Sequence, residues 1–318
     1  MSATARKSAV SGFEAVTLDN ARIRAVVVPS LGGRLWELTD LGRDRQWLWH
    51  REGIALAAAS PGSVYDEVWA GGWEELFPND APGRFGGREL LDHGEWWTAP
   101  WLVAEMSDGA EAVVRLVTET RLTRARCSKE YRLGSGADTL YVSYGVESLE
   151  PEPFHYLFKV HLPIALTPAC RLAAPGGRVT AVDPAFGTLL PGPGPYSWPF
   201  ARGMRGAEAD LRRVPEPSSG AREFVYVSDL PAGWCGVDDV QRGAAFRLRF
   251  DLGDLPFLWL FLAYGGWRGC YTAVLEPCTN MPKDLAEAVR SGRSASLVPG
   301  GRFETRVAVT LGGLGALP

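Results

Sequence analysis

The chain has 318 residues, of which 46% are hydrophobic and 22% are charged. This composition is typical of a globular protein with ample apolar material for a core, and the length suits one large domain or two ordinary ones. The formal net charge of -4 gives no reason to expect nucleic acid or an anionic membrane surface as a partner.

The cysteines and the first residues bear on the cellular compartment. The chain has 5 cysteines, an odd number, which are widely scattered and form no CxxC pair. This pattern favours reduced thiols in a cytosolic protein over a disulfide framework or a zinc site. The starting segment MSATARKSAVSGFEAVTL has no apolar signal core, and no stretch approaches ~18 consecutive apolar residues. We therefore expect a cytoplasmic protein without a membrane span.

Strand patterns dominate along the chain. Runs rich in β-branched and aromatic residues, several of them alternating with period two, predict strands at 21–29, 33–39, 112–118, 139–146, 246–251, 256–262 and 303–311. The Gly-, Pro- and Ser-rich region 191–220 indicates a long loop or a linker, and the best helix signal lies at 283–290. Many strands with few short helices predict an all-β fold, a large antiparallel β-sandwich.

Two of the 4 histidines lie in the segment 152–163. If this segment is one strand, His155, Lys159 and His161 share a face, and the opposite face points to the core. A straight strand separates His155 from His161 by roughly 20 Å at ~3.3 Å per residue, so the two cannot ligate one metal. Imidazole is well suited to proton transfer near neutral pH. Either one histidine lies in a site with the other at its rim, or both are structural.

A loop around His93 carries further candidates. Gly94, which follows His93, permits close approach of the backbone to a ligand. Arg84 follows a Pro-Gly turn and offers donors suited to hydroxyl or carboxylate oxygens, the alternative being a surface residue of the turn. The tryptophans of this region form either a stacking platform or part of the core: Trp69, Trp73, Trp96, Trp97 and Trp101.

Glu276 ends a strand-like apolar run near the end of the chain. The following Pro277 disfavours helix at Glu276 and favours an extended backbone. A carboxylate that leaves a strand at the rim of a cleft can act as a general base. The alternative is a surface glutamate that closes a strand into a turn.

The order of these features along the chain resembles one known superfamily. In chain order they are Gly32-Gly33, Phe77-Pro78-Asn79 with Arg84, His93-Gly94, His161 on a strand, Glu276-Pro277 on a strand, and Pro299-Gly300 before a last strand. This set resembles the galactose mutarotase-like superfamily, and within it the aldose 1-epimerases, over nearly the whole chain. The resemblance implies a single domain at 1–318, a galactose mutarotase-like β-supersandwich that binds a sugar in an open cleft on a concave sheet.

The resemblance also implies an activity and a set of site residues. An aldose 1-epimerase is an isomerase that interconverts the α and β anomers of a sugar by general acid/base ring opening, and it requires no cofactor or metal. By this resemblance Glu276 is the base, His161 is the acid and a small-molecule sugar is the partner. The predicted substrate-binding residues are His93, Arg84, Lys159 and Trp97. The aspartate with which the family binds hydroxyls has three candidates here, Asp238, Asp239 and Asp251.

The sequence departs from the family pattern beside the acid. The well-studied branch has an Asn before this histidine and aromatic residues after it, whereas here Val160 and Leu162 flank His161. The identity of the sugar therefore stays open. Lys159 together with Arg84 suggests an acidic or phosphorylated sugar, the alternative being a solvated lysine on a strand. A non-catalytic carbohydrate-binding or sensor protein on the same fold is the main alternative. A glycoside hydrolase or lyase ranks below both, because a hydrolase normally needs two facing carboxylates. The sequence does not define the oligomeric state.

Overall fold

The structure, a computed structural model, describes residues 2–315. Within them, strands predominate and the α-helices are α1 (Tyr65–Val68) and α2 (Leu285–Arg290). The strands of the first part of the chain are β1 (Thr4–Val10), β2 (Phe13–Asp19), β3 (Ile23–Val28), β4 (Arg34–Asp40), β5 (Arg45–Gln46), β6 (Glu74–Leu76), β7 (Gly83–Phe85), β8 (Arg88–Leu90), β9 (Leu102–Ser107), β10 (Glu111–Thr120), β11 (Ala125–Gly134) and β12 (Thr139–Ser148).

The later strands complete the sheets. They are β13 (Phe154–Tyr156), β14 (Lys159–Ala165), β15 (Cys170–Ala173), β16 (Arg178–Ala181), β17 (Tyr196–Ser197), β18 (Phe200–Arg202), β19 (Glu208–Asp210), β20 (Ala221–Ser228), β21 (Trp234–Asp239), β22 (Ala244–Arg249), β23 (Phe257–Tyr264), β24 (Tyr271–Cys278), β25 (Ala295–Leu297) and β26 (Arg302–Gly313). Short 3-10 helices lie at Trp96–Thr98, Met204–Gly206 and Pro217–Ser219.

Two large antiparallel sheets organise the chain. The eight-stranded sheet has the order β15-β21-β22-β26-β12-β11-β10-β9, and the seven-stranded sheet has the order β17-β16-β20-β23-β24-β14-β6. A five-stranded sheet, β1-β2-β3-β4-β5, precedes them in the chain. The predicted all-β architecture is confirmed.

A single cluster of buried side chains joins the two large sheets. It includes Val142 and Val309 of the eight-stranded sheet and Leu260 and Leu275 of the seven-stranded sheet. Successive side chains of a strand point to opposite faces, so the neighbour of Leu275, Glu276, lies on the other face of the seven-stranded sheet. That outer face is the one available to a ligand.

The segment with two histidines is not one strand, contrary to the prediction. It forms β13, which pairs with β25, and β14, which lies in the seven-stranded sheet. The ladder breaks because the N–H of Leu157 donates to the Pro78 carbonyl at 2.7 Å and that of Phe158 donates to Thr279 Oγ1 at 2.9 Å. The predicted faces of β14 are confirmed: Val160 lies in the core, whereas Lys159 and His161 face the other way.

The remaining local predictions agree with the structure at most positions. The predicted helix is α2, and Asp284 caps it by accepting a hydrogen bond from the Glu287 N–H at 2.8 Å. The region 191–220 is not a plain loop, since it contains short strands, of which β17 pairs with β16.

Each of the five cysteines is buried and unpaired. No helix between residues 2 and 315 is both long enough and apolar enough to cross a membrane.

Candidate active site

The outer face of the seven-stranded sheet brings together residues that are far apart in sequence. The ladder between β14 and β24 keeps one register on both sides of Pro277, and this places His161 opposite Glu276. On the next strands His161 pairs with Glu74 and Glu276 pairs with Trp259. Directly opposed residues of antiparallel strands share a face with Cβ atoms about 4.5–5.5 Å apart. Glu74, His161, Glu276 and Trp259 therefore form one row across the sheet, the central row.

Glu276 and His161 lie in the wall of the same cavity. The Nε2 atom of His161 is 3.7 Å from Oε1 of Glu276. His161 is 5% exposed and Glu276 is 2% exposed, yet both contact the cavity, whose volume is about 230 Å³. The other lining residues are Tyr65, Asp66, Trp69, Asp80, His93, Lys159, Asp183, Phe186, Phe224, Phe261, Trp267 and Lys283.

Lys159 lies between two carboxylates in the wall of this cavity. Its Nζ atom is 2.5 Å from Oδ2 of Asp80 and 2.7 Å from Oε2 of Glu276. The ammonium also lies 4.5 Å from the ring centre of Trp259, where a cation–π contact is favourable. The charge of this lysine is therefore compensated within the protein.

Burial and these charges shift the pKa values of the three groups. Burial is the largest influence on Glu276 and raises the pKa of its carboxyl, while Lys159 acts in the opposite direction. Burial also acts to raise the pKa of Asp80, but Lys159 and His93 outweigh it and lower that pKa. For Lys159, burial acts to lower the pKa, but Asp80 and Glu276 raise it, so the amine stays protonated.

His161 has polar contacts on both sides of its ring. Its Nδ1 atom is 3.2 Å from the Tyr65 hydroxyl, which itself donates to Oε1 of Glu74. The indole of Trp69 meets the imidazole edge-on at 5.2 Å. Burial first, then the charge of Lys159, lowers the pKa of His161 well below its usual value.

His93 reaches the cavity from a loop with a left-handed backbone. His93 and Gly94 have φ values of 60° and 75°. A Cβ at Gly94 would collide with the carbonyl oxygen of Phe77, so this glycine is required by the approach of the protein backbone and not, as predicted, by that of a ligand. The His93 ring stacks on Tyr65 at 3.8 Å, and its Nδ1 is 2.7 Å from Oδ1 of Asp92.

Two predicted binding residues lie outside the cavity wall. Arg84 is exposed on the hairpin of β7 and β8, where it lies opposite Glu89 in the strand register. Trp97 is buried beneath Tyr65, with ring centres 5.0 Å apart, and its indole N–H donates to the Asp92 carbonyl. Neither Arg84, which is exposed on its hairpin, nor Trp97, which packs against Tyr65, contacts the cavity.

The predicted aspartates are also elsewhere. Asp238 pairs with Arg247 at 2.8 Å and Asp239 pairs with Arg45 at 3.1 Å, both on the eight-stranded sheet. Asp251 accepts the N–H of Gly253 in a turn. The carboxylates that face the cavity are instead those of Asp66, Asp80, Asp183 and Glu276.

The other two histidines make contacts of their own. His50 stacks on Trp36 with ring centres 3.8 Å apart, and His155 lies 3.0 Å from the Ser294 hydroxyl. The sequence analysis did not identify Tyr65, Glu74 or the aspartates that line the cavity, Asp66, Asp80 and Asp183. Asp80 follows the Phe-Pro-Asn segment directly, and this was the one signal available for it.

Aromatic rings form the apolar part of the cavity wall. Phe261 contacts Phe186 and Trp267, with ring centres 5.5 and 5.1 Å away. Trp267 in turn lies 6.3 Å from Trp69. Such rings can pack against the C–H faces of a sugar while nearby polar groups bind its hydroxyls.

Comparisons with known proteins reveal similarity in structure. No protein-family model matches the chain, and no curated protein matches it in sequence. A proposed aldose 1-epimerase from Klebsiella pneumoniae superposes with a TM-score of 0.73 at 17% identity, covering 94% of this chain and 79% of that one. A galactose mutarotase-like protein from Clostridium acetobutylicum gives a TM-score of 0.66 at 12% identity and covers 98% of both chains. A protein from Synechocystis gives a TM-score of 0.69 at 16% identity, covering 94% of this chain and 96% of that one.

Proposed function

We propose that this chain, which has the galactose mutarotase-like fold, is an aldose 1-epimerase that interconverts the α and β anomers of a sugar. The observation that supports the proposal most is the pair of Glu276 and His161, whose Oε1 and Nε2 atoms are 3.7 Å apart in one cavity wall. A fold alone is compatible with many functions, so the proposal depends on this pair.

The proposed reaction consists of two proton transfers at neighbouring atoms. The Glu276 carboxylate takes the proton of the anomeric hydroxyl, the O–H electrons form the carbonyl, and the bond from C1 to the ring oxygen breaks. The ring oxygen keeps that electron pair and takes a proton from His161 Nε2. After rotation about C1–C2, the same transfers run in reverse on the other carbonyl face. Because both oxygens are bonded to C1, an acid and a base 3.7 Å apart can reach them together.

In the reacting form of this pair Glu276 is a carboxylate and His161 is an imidazolium. Burial opposes the charge of each group, as the raised pKa of Glu276 and the lowered pKa of His161 indicate. Lys159, 2.7 Å from Glu276, favours the carboxylate, and the attraction between carboxylate and imidazolium favours the two charges together.

We expect a bell-shaped dependence of kcat/KM on pH. Activity falls at low pH because the Glu276 carboxylate becomes protonated, and it falls at high pH because the His161 imidazolium loses its Nε2 proton. Burial raises the pKa of Glu276 and lowers that of His161, and the two groups interact. The two apparent pKa values of the bell-shaped profile therefore describe the pair and not either residue alone. Polarimetric rates measured over the pH range in which the protein stays folded check this, and a flat profile would contradict it.

The charge of the cavity favours an uncharged sugar over the acidic or phosphorylated one that the sequence suggested. The lining carboxylates are Asp66, Asp80, Asp183 and Glu276, against the cations Lys159 and Lys283. Lys159 already contacts two of these carboxylates, and Arg84 lies outside. An anion in the cavity would therefore face an excess of negative charge.

An uncharged aldohexose should bind more tightly than its 6-phosphate, by at least about tenfold, because juxtaposed like charges weaken binding. Calorimetric titrations at low and high salt measure the difference, which should shrink as salt screens the charges. Arg84→Ala, outside the cavity, serves as the control and should change neither affinity. Equal or tighter binding of the 6-phosphate would contradict the proposed charge preference.

Polarimetry with freshly dissolved single anomers tests the proposed function itself. We expect the protein to accelerate mutarotation of at least one uncharged aldose above its spontaneous rate, and His161→Ala to remove most of the acceleration. A sugar that binds in the cavity without any acceleration would instead support the alternative, a carbohydrate-binding or sensor protein on this fold.

A further inference from the structure

We infer that Tyr65 and Glu74 are positioning residues that determine which nitrogen of His161 exchanges a proton with the ligand. The Tyr65 oxygen binds the proton on Nδ1, so Nε2 is left to face the sugar. The kinetic consequence rests on the proposed function, whereas the location of the proton on His161 does not.

The contacts of the Tyr65 hydroxyl define the hydrogen-bond direction. A phenol has one proton to donate, and here it goes to Oε1 of Glu74. The other neighbour of the same oxygen is Nδ1 of His161 at 3.2 Å. Because Tyr65 has no second proton, Nδ1 must be the donor in that contact. Burial and the nearby Glu74 carboxylate raise the pKa of Tyr65 well above its usual value, which keeps the phenol protonated.

Glu74 is held in place by contacts on its second oxygen. Arg34 Nη2 lies 2.5 Å from Oε2 of Glu74, and Arg34 Nη1 donates to the Gly71 carbonyl at 3.1 Å. Glu74 is fully buried, and its pKa is raised by burial while Arg34 acts in the opposite direction. Strand pairing sets Glu74 directly opposite His161, so the carboxylate lies on the Nδ1 side of the imidazole.

Tyr65 also orients the second imidazole of the cavity. Its ring is parallel to that of His93, with an interplanar angle of 6° and a separation of 3.8 Å. The backbone N–H of Tyr65 donates to Oδ2 of Asp92, whose other oxygen contacts His93 Nδ1. One residue of the short helix α1 therefore contacts both histidines that line the cavity.

The contacts of Tyr65 and Glu74 leave Nε2 of His161 free for the proton transfers that the proposed reaction requires. When Nε2 is protonated, the imidazolium keeps its Nδ1 proton on Tyr65, and the Glu74 carboxylate is the nearby counter-charge on that side. Transfer of the Nε2 proton to the ring oxygen leaves neutral His161 with its Nδ1 proton unmoved. Without the Tyr65 oxygen, the neutral ring is free to carry its proton on Nε2, where it cannot accept one back during ring closure.

Two measurements on Tyr65→Phe test the inference. The variant keeps the aromatic ring on His93 and removes only the hydroxyl. In the ligand-free protein with 15N-labelled histidine, NMR should show the His161 proton on Nδ1 in the wild type and a shift toward Nε2 in the variant. With sugar, kcat should fall at least about tenfold while KM changes little, because a wrongly placed imidazole proton impairs the proton transfer itself. Glu74→Gln should also lower kcat without moving KM.

Tyr131→Phe is the matched control. Tyr131 is another buried tyrosine, and its hydroxyl donates to the Gly33 carbonyl at 2.7 Å, away from the cavity. It should leave both the His161 proton and kcat unchanged. A wild-type His161 with its proton on Nε2, or an unchanged proton position in Tyr65→Phe, would overturn the inference. If the NMR result agrees but the wild type exchanges no anomers, the proposed function fails and the role of Tyr65 in orienting His161 stands.

Discussion

Replacing Glu276 by glutamine is expected to slow anomer exchange by roughly 10²- to 10⁴-fold, the range that a positioned general base contributes. Glutamine keeps the size of the side chain, but its amide does not accept a proton at neutral pH. Lys159 retains Asp80 as a partner at 2.5 Å, so the substitution does not leave a buried cation unpaired. We therefore expect kcat to fall while the fold and the sugar affinity are retained.

Glu150→Gln is a suitable control for this substitution. Glu150 is a buried carboxylate that pairs with Arg88 at 2.6 Å and accepts the N–H of Arg124 at 2.7 Å, outside the cavity. Its amide variant should exchange anomers at the wild-type rate. If Glu276→Gln also retained the wild-type rate, Glu276 would not be the base.

Lys159→Met is expected to destabilise the protein by about 3–5 kcal/mol at neutral pH, as removal of one partner from a buried ion pair does. The substitution leaves Asp80 and Glu276 in a common buried space without the ammonium that both now contact. Their mutual repulsion raises their pKa values in the folded variant. The penalty is present above those raised values and is relieved as the pH falls through them. Urea unfolding at two pH values measures both effects.

Two further variants separate charge from packing in this result. Lys159→Met combined with Asp80→Asn should recover part of the lost stability, because only one buried carboxylate remains. Lys129→Met removes an equally buried lysine that pairs with Glu75 on the core side, so it should destabilise the protein without changing kcat of the folded fraction. A stability of Lys159→Met that equals the wild type at neutral pH would contradict the account of this ion cluster.

The strands and the extended backbone at Glu276 could be predicted because their signals are local. Period-two alternation over six or more residues identifies a strand and its inner face, as in the Phe246 strand, β22. The proline after Glu276 likewise indicates an extended backbone at that residue. The chain order of such features, through the resemblance to a known superfamily, predicted one site for Glu276 and His161.

Residues on short elements could not be assigned in this way. Glu74 and Glu75 are adjacent on the three-residue strand β6, yet Glu74 lies beside His161, while Glu75 faces the core and binds Lys129 and Tyr144. A strand of this length carries no alternation from which the face of each glutamate can be derived. Tyr65 lies on a four-residue helix, α1, which is too short for a periodic signal.

Charge compensation was also invisible in the sequence. Lys159 donates to two carboxylates, which lie 79 and 117 residues away in the chain. Only the folded protein shows that Asp80 and Glu276 compensate its charge, which supports the proposed preference for an uncharged sugar. The position of Arg84 outside the cavity wall could not be predicted for a related reason, because the composition of a turn does not specify to which side its hairpin points.

The most direct test of the central claim is saturation-transfer NMR on an equilibrated uncharged aldose. Saturation of one anomeric proton should pass to the other anomer at a rate proportional to protein concentration, and Glu276→Gln should lower this rate by at least roughly 10²-fold while still binding the sugar. If the wild type binds the sugar and transfers no saturation between its anomers, Glu276 and His161 do not form the proposed acid–base pair.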